Sequence, residues 1–470
     1  MMTEQFEWLQ GRVIDIIGLD PLMRDTAIDV LLEECSEHCI AMTKRTLKQS
    51  VAHRERQVTA DQANDVVTEI NREWFLISGE GSFRFARWEG GELKFYKRSD
   101  FAAIVAPLTP RAMGQAPDGV YLRSNDRRLF SGITIDDKAG DEIDGKVNLW
   151  RGYGVEERTG DEGPFNKYLQ DTFGEDWTYV LNWCAWTIQN PCERANVILF
   201  LISQEEGTGK STLGRIMRKL FGHHSRKATK AADVTGRFTD HLAGALFVHG
   251  DEIMFAGDKA GADALKTLAT DDTMRVEPKG VPSFETENRL SFLMTSNHEH
   301  AAHIGSSDRR YAMVRALPTN KGNTEYWDGL NSWLEDGGFE IVLEYLLDID
   351  LDGFNIVNDR PISDLYLTNK RQSMQSTGKW WQQCIAQRKI IGAPIGMAMD
   401  EWIDKPVFYG WFVKWAERND KYNIPSDKVF WRDMRAICEK LDFQKPMGKP
   451  RQLKIPDWDD AEADLIKYLS

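Results

Sequence analysis

The sequence predicts an α/β core, preceded by an α+β region and followed by a small winged-helix-like module. Three observations carry that reading. An apolar strand, Val197-Ile198-Leu199-Phe200-Leu201-Ile202, runs into a glycine-rich turn and an amphipathic helix. Short alternating segments with glycine turns fill roughly residues 74–160, and helix–turn–helix spacing with a basic hairpin closes the chain.

Taken in order, residues 4–56 carry helical apolar spacing through Ile14, Ile17, Leu22, Ile28, Leu31 and Leu32. From Trp74 the period changes. Phe83-Arg84-Phe85-Ala86-Arg87-Trp88, a Gly90-Gly91 turn and Leu93-Lys94-Phe95-Tyr96 predict a hairpin. Residues 164–190 return to helix, with Phe165, Tyr168, Leu169, Val180, Leu181, Cys184, Ala185 and Ile188 on apolar faces before Pro191. The polar stretch 355–379 reads as a linker with some helix. Beyond it, Val407, Phe408, Trp411, Phe412 and Trp415 mark one helix. A second starts at Ser426 as N-cap and carries Phe430, Met434, Ile437, Cys438 and Leu441. The basic segment 444–456, punctuated by Pro and Gly, predicts a hairpin. The expected boundaries are 1–60 for a helical segment, 61–194 for an α+β domain, 195–354 for the core, 355–379 for the linker and 380–470 for the winged-helix-like module.

A chain of 470 residues predicts about three domains. Its longest apolar stretch, 197–202, is far too short to span a bilayer, and Met-Met-Thr-Glu-Gln-Phe-Glu opens no secretory signal. Cysteines 35, 39, 184, 192, 384 and 438 are scattered, which predicts a reduced, cytoplasmic protein. Cys35, His38 and Cys39 have no second ligand pair and read as ordinary helix residues. The net charge of −14 excludes a protein that coats nucleic acid with its whole surface, yet is compatible with a local basic channel. Nine of the sixteen tryptophans follow residue 320, and the i,i+4 spacing of Trp411 and Trp415 assigns them to a core. Asp348-Ile349-Asp350-Leu351-Asp352-Gly353 imitates a calcium loop but has Asp359 at its twelfth position, and His298, His300 and His303 read as a loop tip.

Residues 204–211 read Gln-Glu-Glu-Gly-Thr-Gly-Lys-Ser. A strand, a glycine-rich turn and a helix N-terminus make a phosphate cradle: turn N–H groups and the helix dipole hold oxyanions, lysine neutralises the β- and γ-phosphates, and the hydroxyl ligates Mg²⁺. The candidate nucleotide contacts are Gly207, Thr208, Gly209, Lys210, Ser211 and Thr212. Gln204 departs from the P-loop pattern, which has glycine there. A second strand, 245–250, leads into Asp251 and Glu252, the first suited to the metal's ligand shell and the second to deprotonating water. A third, 290–294, ends in Thr295-Ser296-Asn297, and an amide between the other two strand ends can polarise that water. Asp308-Arg309-Arg310 follows Ser307, and such arginines suit the finger role in phosphoryl transfer. Between the second and third strands, Leu265-Lys266-Thr267-Leu268 and residues 274–281 predict a helix, a turn and a hairpin with lysine at its tip.

In this order and spacing the motifs resemble superfamily 3 helicases, in particular the phage and poxvirus-type primase-helicases. Similarity extends to Asn148-Leu149-Trp150-Arg151-Gly152, Leu181-Asn182-Trp183, Ile188-Gln189-Asn190-Pro191 and Gly236-Arg237-Phe238, over roughly residues 70–450. The resemblance implies an AAA+-like P-loop NTPase core using ATP and Mg²⁺, behind an N-terminal domain of primase-helicase type. It implies that Lys210 and Ser211 bind nucleotide and metal, Asp251 and Glu252 are the metal-side and catalytic carboxylates, and Asn297 is the sensor. Arg309 or Arg310 would act as finger across a hexamer interface, and Lys266 and Lys279 would contact single-stranded DNA. No acidic polymerase triad or zinc knuckle stands out in residues 1–195, so priming is expected from a separate partner.

The expected function is therefore an ATP-dependent, ring-forming homo-hexameric DNA helicase of phage or mobile-element replication. It would work on single-stranded or forked DNA beside a separate primase or polymerase, in the cytoplasm of a phage-infected or prophage-carrying cell, with no membrane partner. The competing readings are an ATP-switch initiator or loader, a small-molecule P-loop kinase, and a DNA-binding module with a degenerate ATP site, which only Gln204 supports.

Overall fold

The computed structural model describes residues 2–108, 115–138, 140–237, 239–253, 259–299, 304, 308–394, 401–420, 424–448 and 450–469. Of the residues singled out above, Phe238, His300, His303 and Ser307 lie outside these. The chain divides into two compact units.

The first unit comprises Met1–Thr134, Ala139–Leu149 and Glu277–Phe284. Helices α1 (Met2–Ile17), α2 (Pro21–Glu37) and α3 (Lys44–Glu73) pack Leu9, Val13, Ile28, Leu31, Cys35, Leu47 and Val51 into a small core. Asp20 and Thr43 cap α2 and α3 by accepting from free N–H groups of the first turn. The helical pattern read over 4–56 continues to Glu73 because Val66, Val67 and Ile70 sustain a buried stripe. Leu22, read as an apolar-face residue, is exposed in the first turn of α2. Strands β1 (Trp74–Gly79), β2 (Ser82–Glu89), β3 (Glu92–Tyr96) and β4 (Leu129–Phe130) form a sheet in the order β3-β2-β1-β4. The β2–β3 turn uses Gly90 and Gly91 at φ 57° and 84°, the mirror-image turn that suits twisted hairpins. Helices α4 (Arg98–Val105) and α5 (Pro117–Arg123) cover that sheet with Phe101, Val105, Val120 and Tyr121. Strands β5 (Gly132–Thr134), β6 (Glu142–Ile143) and β7 (Lys146–Asn148) make a smaller sheet.

The second unit holds Ile135–Lys138, Trp150–Val276 and Glu285–Ser470. Helices α6 (Gly163–Phe173) and α7 (Trp177–Gln189) precede β8 (Ile198–Ile202) and α8 (Lys210–Phe221). Then come β9 (Ser225–Ala228), α9 (Ala231–Thr235), β10 (Phe247–Gly250), α10 (Lys259–Thr270), the β11 (Thr273–Val276) and β12 (Phe284–Glu287) hairpin, β13 (Ser291–Ser296) and β14 (Tyr311–Arg315). Helices α11 (Thr324–Trp333) and α12 (Phe339–Asp348) follow. The five-stranded sheet runs β14-β8-β13-β10-β9 and every pairing is parallel. All side chains of β8 and β13 are buried, as strands covered on both faces require. Trp150 stacks on His224 and the Arg151 N–H donates to the His224 ring, while Trp183 lies buried with its indole N–H toward Val197 O. The motifs 148–152 and 181–183 thus contribute packing residues to this unit.

Residues 355–379, read as a linker with some helix, are partly helical and packed. They contain α13 (Asp364–Ser373) and the start of α14 (Ser376–Ala386), and Leu365, Tyr366, Asn369 and Lys370 are buried. The Tyr366 hydroxyl donates to Asp308 O and Lys370 Nζ to Leu469 O, so the polar composition serves tertiary hydrogen bonds. Strands β15 (Ile403–Asp404), β16 (Asp442–Gln444) and β17 (Gln452–Lys454) form an antiparallel sheet in the order β15-β17-β16. Around it pack α15 (Lys405–Asn419), α16 (Asp427–Ile437) and α17 (Trp458–Leu469). Ser426 occupies the N-cap of α16 without a side-chain cap bond, and Cys438 and Leu441 lie beyond that helix, still buried. Trp380, Trp381, Phe408, Phe412, Phe430, Trp431 and Trp458 fill one aromatic core, with Trp415 at its margin. No helix among the described residues is long and apolar enough to cross a membrane.

Candidate functional site

The turn from β8 to α8 is shaped by its glycines. Gly207 and Gly209 have φ 73° and 98°, where a side chain is strained. At Gly209 a Cβ would also lie 2.6 Å from the Trp327 ring and 3.2 Å from Tyr168, whose hydroxyl donates to Gly209 O at 2.8 Å. Gln204 does not adopt a positive φ, so the glycine expected at that position is not required and its absence introduces no strain. Thr212 N donates to Gly209 O at 3.0 Å, closing the first turn of α8. Lys210 is buried, and its ammonium turns back to Glu205 O at 3.2 Å and the Thr208 hydroxyl at 3.3 Å. Burial lowers the Lys210 pKa against the opposing pull of Glu252, Glu206 and Asp251.

Parallel register aligns the neighbouring strand ends. Ser296 of β13 pairs with Ile202 of β8, and Gly250 of β10 pairs with Met294, so all three chains leave the sheet at one edge. There the Ser211 hydroxyl donates to Asp251 Oδ1 at 2.8 Å and the Thr295 hydroxyl donates to the same oxygen at 3.0 Å. Lys227, on β9, pairs with Asp251 Oδ2 at 2.7 Å. Burial alone would push the Asp251 carboxyl up, but the bonds from Lys227 and Ser211, the nearby His249 and the Thr295 bond outweigh it and hold the group at about 2. Hydroxyl and carboxylate oxygens are the hard donors that Mg²⁺ prefers. Among the described residues no group of three or more His, Cys, Asp or Glu could hold a metal by itself, so such an ion would rely on substrate phosphates and water for its remaining ligands.

Glu252 stands at φ 58°, a left-handed conformation uncommon for a non-glycine residue. Thr295 Oγ1 accepts from Glu252 N at 3.2 Å, and Glu252 Oε1 accepts from Asn297 Nδ2 at 3.1 Å. One threonine therefore braces both carboxylate residues. Beneath them His249 is buried, its ring packed where Gly214 leaves no Cβ to collide with it, and neither ring nitrogen has a hydrogen-bond partner among the described residues. Burial lowers its pKa to about 4, which keeps the ring neutral at pH 7.

The arginine pair lies elsewhere. Tyr311, the first residue of β14, pairs with Ile198, the first residue of β8, and Arg310 O accepts from Ile198 N. Arg310 therefore sits at the opposite edge of the sheet from the cluster, roughly 13 Å away along the strand direction alone. Arg309 is exposed and has no ion pair or hydrogen bond among the described residues, whereas Arg310 lies 3.7 Å from Asp308. Lys266 requires a correction. It does not face solvent as a DNA contact would; it is 9% exposed and pairs with Asp308 at 3.3 Å and Asp263 at 3.5 Å, over the Tyr311 ring. Lys279 is exposed in the β11–β12 turn, in the segment that clusters with the first unit.

Sequence reasoning missed Lys227, Tyr168, His249 and Trp327. No local pattern reveals them, because Lys227 meets Asp251 only through the β9–β10 pairing, in which it lies opposite His249. Thr295 was visible within Thr-Ser-Asn, but its bracing of two carboxylates was not.

Fold and site together define a parallel-sheet α/β protein with a P-loop-type turn at one strand tip and carboxylate and amide groups at the next two. Residues 201–310 match a protein family described as a family of unknown function, DUF5906. Over 150 residues the chain is 29% identical to the DNA primase-polymerase of Nitratiruptor phage NrS-1; the match covers 31% of this chain and 20% of that much longer protein. Among solved structures, the apo NrS-1 C-terminal region aligns with a TM-score of 0.57 at 17% identity, covering 83% of this chain and 97% of the other. An A-form apo structure of the same region aligns at 0.54 over the same shares. These alignments show a shared fold across most of the chain.

Proposed function

We propose that this chain is the ATP-hydrolysing subunit of a ring-forming DNA helicase in phage or mobile-element replication. The observation that carries the reading is the meeting of Ser211, Asp251, Glu252 and Asn297 at adjacent strand tips, braced by Thr295. Lys210 and the turn amides would hold the phosphates, and Ser211 and Asp251 would hold Mg²⁺, which when bound neutralises charge on the transferring group. Glu252 would accept the proton of attacking water, and Asn297 would orient both. The place of Arg309 and Arg310 at the far edge of the sheet supports their acting on a neighbouring subunit's nucleotide, in a homo-hexamer. Similarity to a phage DNA primase-polymerase supports a replication setting, with a separate primase or polymerase as partner.

An ATP-switch loader that binds DNA without processive unwinding is the second reading. It draws support from the clustering of the hairpin tip with the first unit rather than with the sheet that bears it. Single-stranded-DNA-stimulated ATP hydrolysis together with strand displacement on a forked duplex is the expected result for the helicase. Stimulated hydrolysis with no displacement under any loading condition selects the loader, and absence of ATP hydrolysis removes both.

A further inference from the structure

The hairpin tip is built into the first unit by a buried arginine. Arg84 of β2 is fully buried, and its guanidinium donates to three backbone carbonyls: Pro282 O at 2.9 Å, Gly79 O at 3.1 Å and Ser283 O at 2.5 Å. Its Cζ lies 4.9 Å from the Phe284 ring centre, and Phe284 packs on Phe95 of β3 at 5.3 Å. A planar fork with fixed donor directions is suited to holding three acceptors at once. The pinned turn brings a second cation to its apex. At Gly280, φ 74°, an added Cβ would run into Lys97 Cε and lie 2.7 Å from its Nζ, so the Lys97 ammonium lies against the residue that follows Lys279.

The surrounding cations are neutralised, since Lys94 pairs with Glu92 and Arg98 with Asp118. Lys97 and Lys279 are exposed and have no ion pair among the described residues. In a chain of net charge −14, two exposed lysines without ion pairs, one of them lying against the turn that bears the other, favour a polyanion.

We propose that Lys97 and Lys279 form a two-lysine contact for the phosphates of single-stranded DNA, held in place by Arg84. The inference rests on the DNA-binding reading above and extends it to a residue of the β-sheet unit. The test uses the full chain and a fluorescein-labelled oligothymidylate, with affinity measured by anisotropy across a salt series. Lys97→Ala and Lys279→Ala should each weaken binding several-fold and each reduce the slope of log affinity against log salt by about 0.7. Lys97→Arg should retain both. Unchanged affinity and slope in Lys97→Ala, with a loss in Lys279→Ala, overturns the two-lysine contact and leaves the helicase reading standing. Failure of the unsubstituted chain to bind the oligonucleotide removes the DNA-binding reading and this contact with it. Arg84→Lys should raise amide exchange at residues 280–284 and lower affinity while the circular dichroism spectrum is kept; unchanged exchange there would show that Arg84 does not pin the apex.

Discussion

The strand-tip cluster and the α10–hairpin segment that joins β10 to β13 in sequence hold their charges in opposite ways. At the tips, Asp251 meets Ser211, Thr295 and Lys227, and Glu252 meets Asn297, so the polar groups are fixed before any ligand arrives. On α10, Lys266 is sealed against Asp308, while Lys279 is exposed on the β11–β12 turn. Preorganised dipoles suit a site that must stabilise developing charge without rearranging. An unpaired exposed lysine suits a surface that exchanges counterions for phosphates.

Breaking the tip cluster should have the largest consequence. Glu252→Gln is expected to lower ATP turnover by on the order of 10² to 10⁴ while nucleotide binding, followed with a fluorescent ATP analogue, is retained. Turnover within a few-fold of the parent would place the base elsewhere. Lys210→Ala should lose turnover and nucleotide affinity together. Because the arginines lie at the far edge, titrating an Arg309→Ala, Arg310→Ala double variant into the parent chain should depress hydrolysis more steeply than dilution; a linear decline would assign them a role within one subunit.

The two lysines separate by stability. Lys266→Ala takes the nearer of two cations from the buried Asp308 carboxylate, leaving Arg310 at 3.7 Å, and should cost about 1–3 kcal/mol in urea unfolding. Lys279→Ala, on the surface, should change stability by no more than about 0.5 kcal/mol. Equal small effects would return Lys266 to the surface-contact class.

The pH response should be intermediate in size. Burial lowers His249 and His224 to about 4, below the ordinary histidine value, so the unfolded chain binds protons that the folded chain refuses. Stability is therefore full above about pH 6.5, falls as pH drops toward 4, and each ring contributes on the order of 3 kcal/mol to that loss. Asp251, held at about 2, adds a separate loss as pH falls from the ordinary carboxyl range toward 2. Thermal unfolding between pH 7 and 4 checks the first window, and a flat profile would mean the rings are solvated.

Much of the core was legible because parallel strands convert spacing into place. An apolar run ending in Asp251-Glu252 and another ending in Thr295-Ser296-Asn297 have to deliver those groups to one sheet edge if they run parallel to β8 in one sheet. The C-terminal tryptophans were legible as core through their helical period. The helix expected within residues 355–379 was legible, but its side-chain bonds to Asp308 and Leu469 were not, because those partners lie far away in sequence. Lys266 was misread because an amphipathic helix does not reveal which lysine finds a carboxylate beneath it.

By itself the sequence determined the cradle turn, since Gly207, Gly209, Lys210 and Ser211 act through local backbone geometry that needs no distant partner. Only the tertiary structure decided that Lys227 meets Asp251, that Thr295 braces two carboxylates, that Lys266 is buried and that Arg84 grips the hairpin apex. The physical reason is that these pairings join groups far apart in sequence, and their partners are set by strand order and burial rather than by spacing along the chain.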